Sequence, residues 1–129
     1  MSQLKIRLEE DRTSFRPDAE LRGTASWHLD SAARKIELRL CWFTQGVAIP
    51  EARVIETVPV DYPNRDGSES FAFRLPDAPL SYMGALSSLF WAVELVVLPT
   101  QECAHAAFCL SHAGHPILLA PLSDDEEGD

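Results

Sequence analysis

Alternation of apolar and polar residues with a period of two recurs along the whole chain, and helical periodicity is almost absent. Residues 19–29 and 35–42 alternate most regularly, which is typical of strands with one buried face. Further alternating or apolar stretches occupy residues 4–8, 53–60, 71–75, 88–98, 104–110 and 116–120. Seven or eight short strands at near-regular spacing predict an all-β fold, an antiparallel immunoglobulin-like β-sandwich.

The apolar positions of these strands predict the core. We expect the core to include Leu21, Trp27, Ile36, Leu38, Leu40, Phe71, Phe73, Trp91, Val93 and Phe108. One stretch departs from the strand pattern: residues 82–89 are rich in Ala, Leu and Met and can form a single helical turn.

A chain of 129 residues is the length of one domain. We expect the sandwich to span residues 1–122. Residues 123–129 form an acidic tail that we expect to be disordered, because it carries charge and no apolar anchor. The formal net charge of −9 argues against binding to nucleic acid or to anionic lipid, both of which require basic patches.

The chain shows no export or membrane signal. Residues 1–8 alternate instead of forming the continuous apolar run of a signal peptide. The longest uncharged stretch, 78–93, contains proline and glycine and is too short to span a bilayer. Three cysteines, Cys41, Cys103 and Cys109, are an odd number, which indicates free thiols in a reducing compartment. We therefore expect a cytoplasmic protein without a transmembrane segment.

Several short motifs follow one another in a fixed order. They are Phe15-x-Pro17-x-x-x-Leu21-x-Gly23, Phe71-x-Phe73-x-Leu75-Pro76, Pro79-x-Ser81-Tyr82-x-Gly84 and Trp91-Ala-Val-Glu-Leu. Together they resemble the strand entry, strand end, loop and following strand of the arrestin superfamily. Asp18 and Ala19 stand where the family usually has Gly-Glu.

The resemblance covers about residues 4–110, enough for one sandwich where well-known arrestins have two. The chain is thus similar to a lone N-terminal-type arrestin domain, as in bacterial sporulation-control-type proteins. The resemblance implies a non-enzymatic adaptor or scaffold that binds a protein partner and needs no cofactor.

Two surfaces are candidates for partner binding. Lys5 and Arg7 share the polar face of the first strand, where basic residues of arrestins grip phosphorylated tails; an ordinary solvated face is the alternative. The acidic tail could instead dock on these two residues and mask them. The other surface belongs to the strand 88–98, which is apolar on both faces. The face with Phe90, Val96 and Leu98 is either covered by residues 116–122 or forms an apolar patch for a partner or a second copy. An edge strand could also accept a strand from a partner.

A cysteine- and histidine-rich segment offers a different function, that of a small metal- or ligand-binding protein. Its candidate ligands are Cys103, His105, Cys109, His112 and His115. On a strand, Cys103 and His105 are about 7 Å apart and Cys109 is about 13 Å further along, too far for one zinc ion without a bend. We therefore assign no metal ligands and no catalytic residues. The sequence also lacks a Gly-x-Ser-x-Gly elbow and a glycine-rich phosphate loop, which argues against an enzyme.

Overall fold

The computed structural model describes residues 2–46 and 49–119. These ranges contain ten strands, and one short 3-10 turn at Glu9–Asp11. The strands are β1 (Gln3–Leu8), β2 (Ser14–Phe15), β3 (Glu20–His28), β4 (Lys35–Gln45), β5 (Ala52–Asp61), β6 (Asp66–Arg74), β7 (Tyr82–Met83), β8 (Ser88–Leu98), β9 (Cys103–Leu110) and β10 (Ile117–Leu118).

The strands form two sheets. A three-stranded antiparallel sheet has the order β1-β3-β6. In the seven-stranded sheet, β5, β4 and β8 lie side by side, and both β9 and β7 pair with the other edge of β8 at different points along it. Two short parallel pairings, β2 with β9 and β10 with β7, complete this sheet. The predicted antiparallel β-sandwich is confirmed, with these parallel pairs as additions at the periphery.

The core consists of the apolar positions that alternate along the strands. All ten residues predicted for it are buried, and Leu21, Ile36 and Trp91 are among those with no exposed surface. Burial of a large apolar side chain contributes about 1.5–3 kcal/mol. The alternation therefore identifies the residues that hold the two sheets together.

Strand β8 is apolar on both faces because it lies inside the seven-stranded sheet. It pairs with β4 along its whole length on one side and with β7 and β9 on the other. Its inward residues, from Leu89 to Val97, are all buried. Side chains of neighbouring strands also shield part of its outward face, where Ala92 and Val96 are buried as well.

Residues 82–89 do not form the helical turn that their composition allows. Tyr82 and Met83 form β7 and pair with Leu89 and Ser88 of β8. The amide of Gly84 donates to the Ser87 carbonyl at 2.8 Å and closes the turn between the two strands. Pairing within the sheet satisfies backbone groups that a lone helical turn would leave unpaired, and this outweighs the helix propensity of the residues.

The loop before β7 is held by three hydrogen bonds to the body of the sandwich. The Trp91 indole Nε1 donates to the Pro79 carbonyl at 2.7 Å. Ser81 is buried, and its Oγ accepts from the Leu110 amide at 2.9 Å while its own amide donates to the Leu110 carbonyl at 2.8 Å. The Pro-x-Ser-Tyr-x-Gly motif therefore has a structural role, since it joins this loop to the end of β9.

The entry to β3 is a tight turn in which Asp18 takes the place of a glycine. The Ala19 amide donates to the Arg16 carbonyl at 3.1 Å, Pro17 is the second residue of the turn, and Asp18 has a φ of 65°. A turn with proline second and a positive φ third is of type II, in which glycine is usual and aspartate is tolerated. The turn thus forms with aspartate at the position that glycine usually occupies.

Two expectations lie at or beyond the end of the described residues. The acidic tail, 123–129, lies outside them, as do residues 120–122 of the segment that could cover β8. Within 2–46 and 49–119, no helix has the length and apolar character needed to cross a membrane.

Candidate functional site

The outer face of the seven-stranded sheet carries apolar side chains at one end, and charged side chains together with Val96 and Leu98 at the other. Every second residue of β4 and β8 points outward, and the register places Phe43 opposite Phe90, Cys41 opposite Ala92, and Arg39 opposite Glu94. The row formed by Cys41 and Ala92 divides an apolar end of the face from a charged end.

The apolar end consists of Phe43, Val54, Met83, Phe90 and Leu118. The Phe43 and Phe90 rings lie 5.8 Å apart between centroids. Val54 lies opposite Cys41 on β5, and Met83 lies between Ser88 and Leu118 in the sheet. Val54, Met83 and Leu118 are 52%, 45% and 71% exposed, so this end of the sheet presents apolar side chains to solvent.

The charged end is organised around Glu37. Its Oε1 accepts from Arg39 Nε at 2.9 Å and Nη2 at 2.6 Å, and Lys35 Nζ lies 3.6 Å from its Oε2. The hydrogen bond from Arg39 lowers the pKa of Glu37, and the positive charges of Arg39 and Lys35 act in the same direction. His105 lies opposite Glu94 at the far side of this end. Side chains of both charges therefore lie beyond the boundary row from the apolar end.

Cys41 lies on the boundary row and has the character of an apolar residue. It is buried, and its Sγ donates to the Ala92 carbonyl at 3.5 Å. Burial raises the pKa of the Cys41 thiol to about 12, and the Glu94 carboxylate adds to the effect. Because the thiolate is the reactive form, this cysteine is unsuited to nucleophilic attack or metal ligation at neutral pH.

The structure separates the predicted partner-binding residues into two groups on opposite sides of the sandwich. Phe90, Val96 and Leu98 lie on the outer face of the seven-stranded sheet, whereas Lys5 and Arg7 lie exposed on that of the three-stranded sheet. Phe90 and Leu98 are half-buried. Val96 is only 7% exposed, so it offers little surface to a partner.

Sequence reasoning did not single out Val54 and Met83, the more exposed apolar residues of the same face. The adjacent apolar pair at positions 54 and 55 interrupts the alternation of β5, and that interruption was the available signal.

A depression of about 550 Å³ lies beside Arg7 on the three-stranded sheet. Arg7 Nε is 3.3 Å from Asp11 Oδ1, and Arg22 Nε is 2.7 Å from Glu20 Oε1. The depression is lined by Arg7, Leu8, Glu9, Glu10, Arg22, Gly23, Thr24, Ser70, Phe71 and Ala72. Carboxylates already balance both arginines, which weakens the attraction of this area for a phosphorylated partner.

The cysteine- and histidine-rich segment does not converge on one point. Cys103 and His105 occupy alternate positions of β9, opposite Val96 and Glu94, and His112 and His115 lie in an exposed loop. In the part of the chain that the structure describes, no three His, Cys, Asp or Glu side chains are grouped so as to hold a metal ion.

The segment 116–122 does not cover β8 in its described part. Residues 117 and 118 form β10, which pairs in the plane of the sheet with β7. The Leu119 amide donates to the Met83 carbonyl at 2.9 Å, which continues the same pairing. This segment therefore widens the outer face and adds Leu118 to its apolar end.

No protein-family model and no curated protein matches the sequence. Among solved structures, the chain is similar to Spo0M, a sporulation control protein from Bacillus subtilis, with a TM-score of 0.57 and 16% identity. The match covers 85% of this chain and 49% of Spo0M, so the chain spans about half the length of that structure.

Two further solved structures are similar only weakly. A β-glucosidase from Listeria innocua in complex with gluconolactone matches with a TM-score of 0.47 and 12% identity, over 91% of this chain and 17% of that one. The alkylpurine DNA glycosylase AlkC of Pseudomonas fluorescens matches with a TM-score of 0.42 and 10% identity, over 84% and 30%. At these scores neither bears on fold or function.

The similarity to Spo0M concerns the fold, and Spo0M has an arrestin-like fold. It agrees with the motifs of the sequence and with the two-sheet architecture. The chain is therefore an arrestin-like β-sandwich.

Proposed function

We propose that this protein is a non-enzymatic adaptor or scaffold of the cytoplasm that presents the outer face of its seven-stranded sheet to a protein partner. The observation that carries the proposal is the apolar end of that face, where Val54, Met83 and Leu118 are about half exposed or more. Exposed apolar side chains that adjoin one another commonly mark a binding surface.

The geometry of the apolar end suits binding without a change in backbone shape. Phe43 and Phe90 belong to two central strands, each paired with neighbours on both sides, so their rings are held on a rigid support. Aromatic side chains in such positions are frequent anchors of protein interfaces. The neighbouring ion pairs around Glu37 would supply the polar rim that surrounds an apolar centre.

The proposal assigns no chemistry to this face. Its apolar end has no acid–base group, and burial of the Cys41 thiol on the boundary row raises its pKa to about 12. The similarity to a sporulation control protein is compatible with a regulatory role, although at this identity it concerns fold alone.

The test is affinity capture from the native cell, read by quantitative mass spectrometry. Met83→Lys places a charge within the apolar end, and Tyr62→Lys is the matched control, because Tyr62 is 78% exposed in the turn between β5 and β6. We expect the native chain and Tyr62→Lys to retain one stoichiometric partner and Met83→Lys to lose it. Equal capture by all three chains, or capture of no protein by the native chain, would contradict the proposal.

A further inference from the structure

We propose that two copies of this chain pair edge to edge through β5, antiparallel, around a two-fold axis at Val54. The two seven-stranded sheets then form one continuous sheet. This assembly uses the backbone edge of β5 and shares only Val54 with the apolar end of the outer face, so Met83→Lys tests the adaptor function separately from the assembly.

Strand β5 is an edge of the seven-stranded sheet. It pairs with β4 on one side and with no other described strand on the other. All six residues from Ala52 to Thr57 are exposed, with Val54 at 52% and Ile55 at 46%. One of the two edge strands of the other sheet, β6, differs, since its large apolar residues Phe71 and Phe73 are buried. Long edges with exposed apolar residues are templates for pairing with another chain.

The backbone groups of β5 that face away from β4 can be identified. The Tyr62 amide donates to the Arg34 carbonyl at 2.9 Å and the Thr44 amide to the Glu51 carbonyl at 2.8 Å. Backbone groups alternate in direction along a strand. The backbone groups of residues 51 and 62 therefore point towards β4. Alternation from residue 51 directs those of Ala52 and Val54 to the free edge, and alternation back from residue 62 directs those of Thr57 there as well.

A β-bulge sets the register of that free edge. The pairing shifts between Leu40 and Cys41, so that Ile55 and Glu56 together occupy one position opposite Leu40. The backbone groups of residues 52, 54 and 57 that point to the free edge are therefore evenly spaced along it. With Val54 on the two-fold axis, Ala52 lies opposite Thr57 of the second copy, and both present free backbone groups.

The same register brings opposite charges together twice. Arg53 lies opposite Trp42 on β4 and Glu56 lies opposite Leu40, so both side chains are on the same face of the sheet. Arg53 of each copy then faces Glu56 of the other at directly opposed positions, where opposite charges stabilise a strand pair. Neither side chain forms an ion pair with another described residue. This charge complementarity selects a second copy as the occupant of the edge.

Two prolines limit the pairing to a short, closed ladder. Pro59 occupies a position of β5 whose backbone faces the free edge, and it lacks the amide hydrogen that a longer ladder would need. In the proposed register its counterpart in the second copy is Pro50, which also lacks one. The ladder ends at both prolines. Because the two-fold axis pairs β5 of one copy with β5 of the other, neither β5 edge stays free, which favours a dimer over an open-ended fibre.

Sedimentation velocity of the full chain over a concentration series tests the proposal through a charge exchange. We expect a reversible dimer for the native chain. Arg53→Glu and Glu56→Arg should each raise the dimer dissociation constant by about tenfold or more, because each change creates two like-charge contacts. The double variant R53E/E56R should return to within about threefold of the native value.

The controls carry the same charge changes away from β5. The control variants are Arg16→Glu and Glu69→Arg. Arg16 is exposed in the turn before β3, and Glu69 is exposed on β6, so both variants should dimerise as the native chain does. A monomer at every concentration overturns the proposal. So does a dimer that the single variants leave unchanged or that the double variant fails to restore.

A cross-linking experiment tests the position of the axis directly. Paired positions that exchange backbone hydrogen bonds lie about 5.5 Å apart between Cα atoms, within disulfide range. In a Cys41→Ala/Cys103→Ser/Cys109→Ser background, which removes the thiol opposite position 54 and the two other native thiols, Val54→Cys should form a disulfide-linked dimer under mild oxidation, and Ala52→Cys should not. A dimer in which Val54→Cys stays reduced refutes the two-fold axis at Val54.

Discussion

Replacement of Gly23 by alanine should destabilise the protein, because β3 passes close to both of its neighbours at this position. Gly23 lies opposite Leu8 on β1 and Phe71 on β6. A Cβ atom added to Gly23 would lie 2.6 Å from the Arg7 carbonyl oxygen and 2.6 Å from Phe71 Cζ. Real Cβ contacts are essentially never shorter than 3.0 Å, so both neighbours would have to move.

The size of the effect follows from what can move. The Phe71 ring can tilt, but the Arg7 carbonyl belongs to β1, which the ladder with β3 holds in register. Overpacking of this kind costs about 1–3 kcal/mol. Alanine recovers about 0.5–1 kcal/mol through its lower conformational entropy in the unfolded chain. Because one of the two close contacts is with backbone, we place the overpacking cost in the upper half of its range and expect a net loss of about 1–2.5 kcal/mol, which corresponds to a fall in Tm of about 4–9 °C for a domain of this size.

Urea unfolding followed by tryptophan fluorescence measures this loss. Thr24→Ala is the matched control, since Thr24 is the next residue of β3 and points to solvent; its effect should stay within about 0.5 kcal/mol. If Gly23→Ala were as stable as the native chain, the close approach of β1 to β3 would not have the energetic weight assigned to it.

Three further predictions concern individual side chains. Cys103 should react rapidly with a thiol reagent and Cys41 only on unfolding, because Cys103 is exposed and burial raises the pKa of Cys41 to about 12; since Cys109 is partly exposed, a fast phase that survives Cys103→Ser/Cys109→Ser would contradict this. Arg39 lowers the pKa of Glu37 in the folded state, so this contribution to stability is present above the carboxyl's unfolded pKa and is lost as pH falls through the folded pKa. Glu37→Gln should accordingly cost up to about 1 kcal/mol at neutral pH and nothing in strong acid, which urea unfolding at both pH values checks. Trp91→Phe should cost about 1–3 kcal/mol in the same assay, since it leaves the Pro79 carbonyl without its indole donor, and a neutral substitution would exclude that role.

The sequence predicts the long strands well because their alternation is a local property. The apolar run 88–98 coincides with the bounds of β8, and all ten predicted core residues are buried. The two-residue strands β2 and β7 could not be predicted in this way. They are too short to show a period, and they exist because β9 and β8 offer them backbone partners.

The surface was less predictable than the core, because exposure depends on what neighbouring strands cover. Alternation placed Val96 on the outer face of β8, but the adjoining strands bury it. It gave no indication that β5 would be an outermost strand, nor that a bulge opposite Leu40 would set the register of its free edge. These properties depend on strand order and on pairing, which emerge only from the assembled sheet.

The strand order also has a consequence for synthesis of the chain on the ribosome. Strand β4 finds β5 immediately after it in the sequence, but its other neighbour, β8, is made much later, and β2 must wait for β9. Strand β4 therefore emerges from the ribosome before β8, which pairs with its other edge. The native sheet cannot be completed until about residue 110 has left the exit tunnel. Topologies with such distant pairings fold slowly and expose apolar strands meanwhile. Nascent chains of this protein thus have a prolonged window in which a chaperone could bind them.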